Sequence, residues 1–270
     1  LANMVRFAEI IPDDRILQAL TAKLTWTHLN HLIYIGDPLR RDFYIEMCKH
    51  ENWSTRMLKK KIDSMLYERT DLSKQPKEII RRDIDNLRDK DVMTPEMVFR
   101  DPYFLDFLNI QDRHLEKNIE DAILSEMETF LLELGSGFTF LARQKRIQID
   151  EDDFYIDLLF YHRDLKRLIC IDLKLGKFKA EYKGKMELYL KWLNRYERRP
   201  DEKMPLGIIL CAGKKQEQIE LLELGDSGIH VANYCKEIPS QKILQKQFRK
   251  AIARSKQRIA QKELKAEGEI

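Results

Sequence analysis

The 270-residue chain is 43% hydrophobic, enough to bury a core as one large domain or two ordinary ones, so a disordered chain is excluded. Its 48 Lys plus Arg and 45 Asp plus Glu nearly cancel to +3, so bulk charge selects no partner and only local clusters can. The four cysteines (Cys48, Cys170, Cys211, Cys235) are scattered without a CxxC pair, which excludes a disulfide framework and a zinc ribbon and leads us to expect a reducing, cytoplasmic setting.

No apolar run approaches the length of a membrane span, and no charged leader precedes an apolar stretch. The chain opens on Leu1 rather than Met, so it is expected to begin inside a longer one. Residues 12 to 92 read as helices with almost no glycine. Within them "STRMLKKKIDSMLYERT" starts on a plausible N-cap, Ser54, and sets Arg56, Lys59, Lys60 and Lys61 beside Met57, Leu58, Ile62 and Leu66. That pattern suits the recognition helix of a helix-turn-helix or winged helix, with Trp53 anchoring its entry; a solvated helix face explains it equally well. His28, His31, Cys48 and His50 do not form a closed zinc set by their spacing. "DVMTPEMVFRDPYFLDFLNIQD" carries two prolines and breaks the helical pattern, placing a boundary near residue 110. Residues 1–110 are thus expected to be an all-α, DNA- or partner-binding domain with its linker.

Beyond it, residues 112 to 134 form an amphipathic helix closed by Gly135. Then come the alternating "FTFLARQKRIQI", the acidic turn "DEDD", and the hairpin "YIDLLFYHRDLKRLICIDLKLGKF". A helix over 181 to 196, strands at 206 to 212 and 228 to 234, and a basic helix from about 240 complete the chain. Residues 111–238 are therefore expected to be an α/β domain. The basic segment 239–270 is left with three options: covering the sheet, contacting DNA, or pairing with a second subunit in a homo-oligomer.

The hairpin sets charges among Ile, Leu, Phe and Cys, where a lone charge is costly to bury. Side chains alternate along a strand, so Asp172 and Lys174 share a face. A hairpin symmetric about Asp164-Leu165 pairs residues whose numbers sum to 329, and Asp157 plus Asp172 is such a pair. Two carboxylates directly opposite each other repel. A divalent cation would relieve this, since Mg²⁺ takes oxygen ligands, and the Leu173 carbonyl between Asp172 and Lys174 offers another. Lys174 would then orient or deprotonate a water and neutralise charge on a phosphate. Lys177, Lys179 and Lys183 cluster beside this point, as a track for a phosphate backbone would. The plainer alternative is a surface ion pair on an edge strand.

The order α-β-β-β-α-β, with Asp157 followed after fourteen residues by Asp172-Leu173-Lys174, resembles the PD-(D/E)XK nuclease superfamily. "FLLELGSGFTFLARQ", "DLLFYHRDLKRLICIDLKLGKF" and "GIILCA" resemble more closely the YhcG family of bacterial nucleases, whose amino-terminal helical domain is similar to "FYIEMCKHENWSTRMLKKKIDSMLYERT". The resemblance covers nearly the whole chain. It implies a restriction-endonuclease-like α/β (αβββαβ) core behind an all-α domain, and Mg²⁺- or Mn²⁺-dependent hydrolysis of DNA phosphodiesters by Asp157, Asp172 and Lys174. It also implies an acid near the metal on the first core helix, where Glu120 lies on the apolar stripe and Glu116 is the fallback. In "AEYKGKMELYL" the family usually has Gln where this chain has Lys185, which can bind phosphate but lacks the amide's acceptor. Lys185 is thus a catalytic candidate. It is also the feature that favours a second function, a degenerate nuclease fold serving as a nucleic-acid-binding or assembly component of a bacterial defence or mobile-element system.

Overall fold

The computed structural model describes residues 4–6, 23–108, 116–224, 227–235, 242–250, 252–254 and 257. The chain divides into two compact units, 1–97 with 240–270, and 98–239. The division falls at Met97/Val98, whereas the Pro-containing segment led us to expect it near residue 110. The basic segment, expected to stand apart as 239–270, groups with the first unit.

The elements of the first unit are α1 (Trp26–Leu32), α2 (Pro38–His50), α3 (Thr55–Asp63), α4 (Leu66–Arg69) and α5 (Lys77–Lys90), with a helical stretch over 242–250, and the short α6 (Pro95–Val98) spans the division. Helix α2 starts where Asp37 accepts from the Leu39 and Arg40 backbone N–H groups with Pro38 at the first position, a strong start signal. The Ser54 hydroxyl accepts from Met57 N at 3.2 Å and starts α3; Asn52, at φ 51°, makes the sharp turn between α2 and α3. Buried Phe43, Tyr44, Leu58, Leu66, Ile80 and Ile84 form the apolar interior, to which Leu244 and Phe248 of the C-terminal helix also belong as buried residues. His28 and Cys48 are bound to structural partners: both reach the Trp53 carbonyl, and His50 reaches Asp91.

The second unit is a six-stranded sheet in the order β1-β6-β5-β4-β3-β2, from β1 (Tyr103–Phe104), β2 (Phe138–Ile149), β3 (Asp152–His162), β4 (Arg167–Lys177), β5 (Leu206–Gly213) and β6 (Ile229–Cys235). Strands β2, β3 and β4 are antiparallel, and β4, β5, β6 and β1 run parallel. Helices α7 (Glu116–Ser125) and α8 (Met127–Leu134) precede β2, α9 (Glu181–Tyr196) joins β4 to β5, and α10 (Gln216–Leu221) joins β5 to β6. This contains the expected αβββαβ order. β4 is buried on both faces, which is why "RLICIDLK" reads as an unbroken apolar run around its charges. Helix α9 sends Met186, Tyr189, Leu190 and Leu193 into the same core as Cys170, Ile209 and Cys211. Its approach over β5 is close: a Cβ at Gly207 would stand 2.5 Å from Met186 Sδ. On the other face Phe130 of α8 meets Phe160 of β3 with ring centroids 6.1 Å apart.

Two elements differ from the sequence expectation. The helix over 112 to 134 breaks at Glu126, where the backbone leaves helical values, next to Ser125, whose hydroxyl donates to the Ala122 carbonyl at 2.9 Å and competes with the helical ladder. Strand β1, which adds a sixth strand beside β6, lies in the segment taken as a linker and is too short to show a period of two. As expected, Gly135 closes α8, with its N–H on the Leu131 carbonyl.

Candidate active site

The loop 163–166 sets the register of the β3–β4 hairpin. Lys166, at φ 50°, closes it with its N–H on the Arg163 carbonyl, and pairs run from His162↔Arg167 to Leu158↔Ile171, all summing to 329. Asp157 and Asp172 are the next residues in that register, beyond the last paired position. There the backbone N–H of Leu173 donates to Asp157 Oδ2 at 2.8 Å. A carboxylate has replaced the strand partner, and the two acids stand where the strands cease to pair.

All of these groups are buried: Asp157 is 8% exposed, Asp172 3%, Lys174 7% and Glu120 4%. Charges this buried need partners. Lys174 Nζ is 2.8 Å from Asp172 Oδ2 and donates to the Leu173 carbonyl at 3.3 Å. Lys185 Nζ lies 3.3 Å from Asp172 Oδ1, so each oxygen of Asp172 faces an ammonium. Glu120 and Asp157 meet through Gln144, whose Nε2 is 2.7 Å from Glu120 Oε2 and 3.4 Å from Asp157 Oδ1. Arg143 adds a contact to Glu120 at 3.5 Å and one to Asp121 at 2.6 Å. Aromatic faces back both lysines: Lys174 Nζ is 5.3 Å from the centre of the Tyr182 ring, and Lys185 Nζ 5.3 Å from that of Tyr189.

These contacts shift proton affinities. Burial, and then the charge of Asp172, pushes the Asp157 carboxyl up to about 6, against the pull of the Leu173 N–H. Burial alone would lower Lys174, but the Asp172 carboxylate and its hydrogen bond override it and hold the pKa above the ordinary lysine value. Lys185 is raised for the same reason, with Asp172 and then Tyr189 outweighing burial.

Among the described residues no three His, Cys, Asp or Glu side chains are grouped so as to hold a metal ion. Within the expected set of Glu120, Asp157, Asp172 and the Leu173 carbonyl, Gln144 bridges Glu120 and Asp157 while the two lysines neutralise Asp172. The donors themselves are all hard oxygens, the kind Mg²⁺ and Mn²⁺ select. In donor chemistry, though not in their present grouping, they suit such an ion.

Residues 96–251, more than half of the chain, match the YhcG PDDEXK nuclease domain. The chain belongs to the YhcG PDDEXK nuclease family. Residues 1–69 match the DUF1016 N-terminal domain. "Putative nuclease YhcG" of Escherichia coli (strain K12) is 33% identical over 237 residues, which span 86% of this chain and 62% of that protein, so this chain spans less than two thirds of its relative's length. Two solved structures overlap it in part. A repair endonuclease from Pyrococcus abyssi is 18% identical over 46% of this chain and 49% of that one, with a TM-score of 0.33. The EndoMS–dsDNA2 complex is 17% identical over 44% of this chain and 46% of that one, also with a TM-score of 0.33.

The YhcG nuclease-domain match contains every residue of the cluster, from Glu120 to Lys185. Of the other candidates, Lys177 and Lys179 are exposed beside the cluster, whereas Lys183 donates to the Leu222 carbonyl at 2.9 Å and lies 3.5 Å from Glu187, which commits it to tying α9 to the end of α10. In the first unit Arg56, Lys59 and Lys60 are exposed on α3, Lys59 paired with Asp63, while Lys61 is buried against Trp53. The Glu116 side chain lies outside the described residues. Sequence reasoning passed over Gln144 and Arg143 because a polar residue in the edge strand β2 reads as a solvent face.

Proposed function

We propose that this chain is a divalent-metal-dependent endonuclease that hydrolyses phosphodiester bonds in DNA. One observation carries the proposal: where β3 and β4 stop pairing, buried Asp157 accepts from the Leu173 N–H while Lys174 bonds both the Leu173 carbonyl and Asp172, which gathers two acids, a carbonyl and an ammonium around one residue. A purely structural ion pair has no need of two buried acids side by side. Asp157, Asp172 and the Leu173 carbonyl, with Glu120, would hold Mg²⁺ or Mn²⁺. The bound ion would supply Lewis-acid polarisation of the scissile phosphate and an acidified water.

The remaining work belongs to the side chains. Lys174, its pKa held up by Asp172, stays an ammonium at neutral pH, so its role is that of a charged donor to the attacked phosphate rather than of a base. Lys185, half-exposed and raised in the same way, can turn from Asp172 to a phosphate oxygen. Lys177 and Lys179 would carry the backbone toward the site, and Arg56, Lys59 and Lys60 of α3 would add sequence-tolerant phosphate contacts from the first unit.

Duplex, branched and single-stranded DNA, incubated with the wild-type chain and Mg²⁺, Mn²⁺ or EDTA, test this. Metal-dependent cleavage of at least one substrate is expected. Lys174→Ala should keep DNA and Mn²⁺ binding yet cleave at least about a hundredfold more slowly, the usual cost of losing a donor aimed at charge that develops in the transition state. No cleavage of any substrate by wild type, with Lys174→Ala the same in every binding assay, would leave the non-catalytic scaffold.

A further inference from the structure

Seven non-glycine residues among those described have positive φ, and six of them sit at turns or helix ends; Gln144, at φ 44°, is the one inside a strand. Left-handed backbone is unfavourable for a residue with a Cβ, and glutamine lacks the short side chain that lets Asn or Asp tolerate it. It is retained where the surroundings over-determine it, and such outliers collect at functional sites. The surroundings here are specific. The β2–β3 register shifts after Phe140 and resumes at Ala142, then runs Arg143↔Leu158 and Lys145↔Ile156, so Gln144 falls opposite Asp157.

From that position one amide spans two buried acids, Glu120 Oε2 at 2.7 Å and Asp157 Oδ1 at 3.4 Å. The nitrogen must face them, because a carboxylate only accepts and the amide nitrogen alone offers two N–H groups. Glu120 comes from α7 and Asp157 from β3; Gln144 is the polar side chain that touches both. We propose that Gln144 is a positioning residue, whose bridge fixes the spacing of Glu120 and Asp157 and so makes the helix acid part of the metal site. The left-handed kink turns the amide to where both acids can use it. This inference rests on the metallonuclease proposal above.

Mn²⁺ calorimetry on the full chain tests it, with wild type, Gln144→Gly, Gln144→Asn, Glu120→Gln and the double variant Gln144→Gly/Glu120→Gln. Glycine adopts positive φ freely, so Gln144→Gly should unfold at or above the wild-type temperature. Its Mn²⁺ affinity should nevertheless fall about tenfold or more, as for loss of a group that orients metal ligands. Gln144→Asn, which tolerates the backbone and keeps a shorter amide, should recover part of that loss. In the Glu120→Gln background, Gln144→Gly should add nothing, since both changes cut the same link. Wild-type affinity in Gln144→Gly, or losses that multiply in the double variant, would overturn the inference and leave the metallonuclease proposal standing. If wild type itself took up no Mn²⁺, the proposal on function would fail and this one with it.

Discussion

Replacing Lys185 by glutamine should tighten metal binding and weaken DNA binding at once. Lys185 Nζ lies 3.3 Å from one oxygen of Asp172, and Lys174 Nζ is 2.8 Å from the other. A divalent ion on Asp172 and Asp157 would sit roughly 5 Å from the Lys185 ammonium, and charges of +2 and +1 at that distance repel by about 1.7 kcal/mol even at the dielectric constant of water. The Lys185 side chain is 39% exposed and free to turn away, so this screened figure is the appropriate one. Removing the charge should therefore raise Mn²⁺ affinity by about fifteen- to twentyfold. The same change removes one phosphate contact, so the slope of log affinity for DNA against log salt should flatten by about one. Calorimetry with Mn²⁺ and fluorescence anisotropy with a labelled duplex at several salt concentrations measure the two effects. Unchanged or weaker Mn²⁺ binding by Lys185→Gln would refute the competition between this lysine and the ion for Asp172.

Two further outcomes follow from the site and from α3. Because Asp157 titrates near 6 when folded and near 3.8 when unfolded, the folded chain holds the extra proton between these values, and stability falls as pH rises through that window. Asp157→Asn, melted in EDTA from pH 4 to 8, should gain on wild type across the window and keep the gain at pH 8; parallel melting curves at all pH values would show that the carboxylate is not under strain. Reversing charge on Arg56, Lys59 and Lys60 together to glutamate should weaken DNA binding and flatten its salt dependence while Mn²⁺ affinity stays at the wild-type value, and unaltered anisotropy across salt would reduce α3 to a solvated face.

How much of this was legible depended on whether a feature is local. The hairpin register could be read because a four-residue loop fixes which residues face each other, and the count carries outward to Asp157 and Asp172. The apolar stripe of 112 to 134 put Glu120 inward, and it is buried. The break at Glu126 was not legible, since it accompanies one serine hydroxyl turning back on its own helix. Lys183 looked like part of a phosphate track because its neighbours are basic; what it bonds is a carbonyl nearly forty residues later, a tertiary contact that composition cannot encode. Gln144 was hidden twice over, by an edge strand whose polar residues look like solvent face and by a backbone conformation that glutamine does not advertise.

Gly207 has a bearing on how such sequences are compared. It holds no charge, yet the Met186 side chain of α9 fills the space that a Cβ would take at that position. Lys185 and Tyr189 ride on the same helix. A single methyl at Gly207 would overlap Met186 Sδ and force that buried side chain to repack beneath the helix that carries Lys185, while Asp157, Asp172 and Lys174 all remained in place. An inventory of the acidic and basic signature would score that chain as intact. Surveys that sort related chains into active and inactive by their signature residues should therefore weigh the small residue beneath the helix alongside the charged ones above the strands.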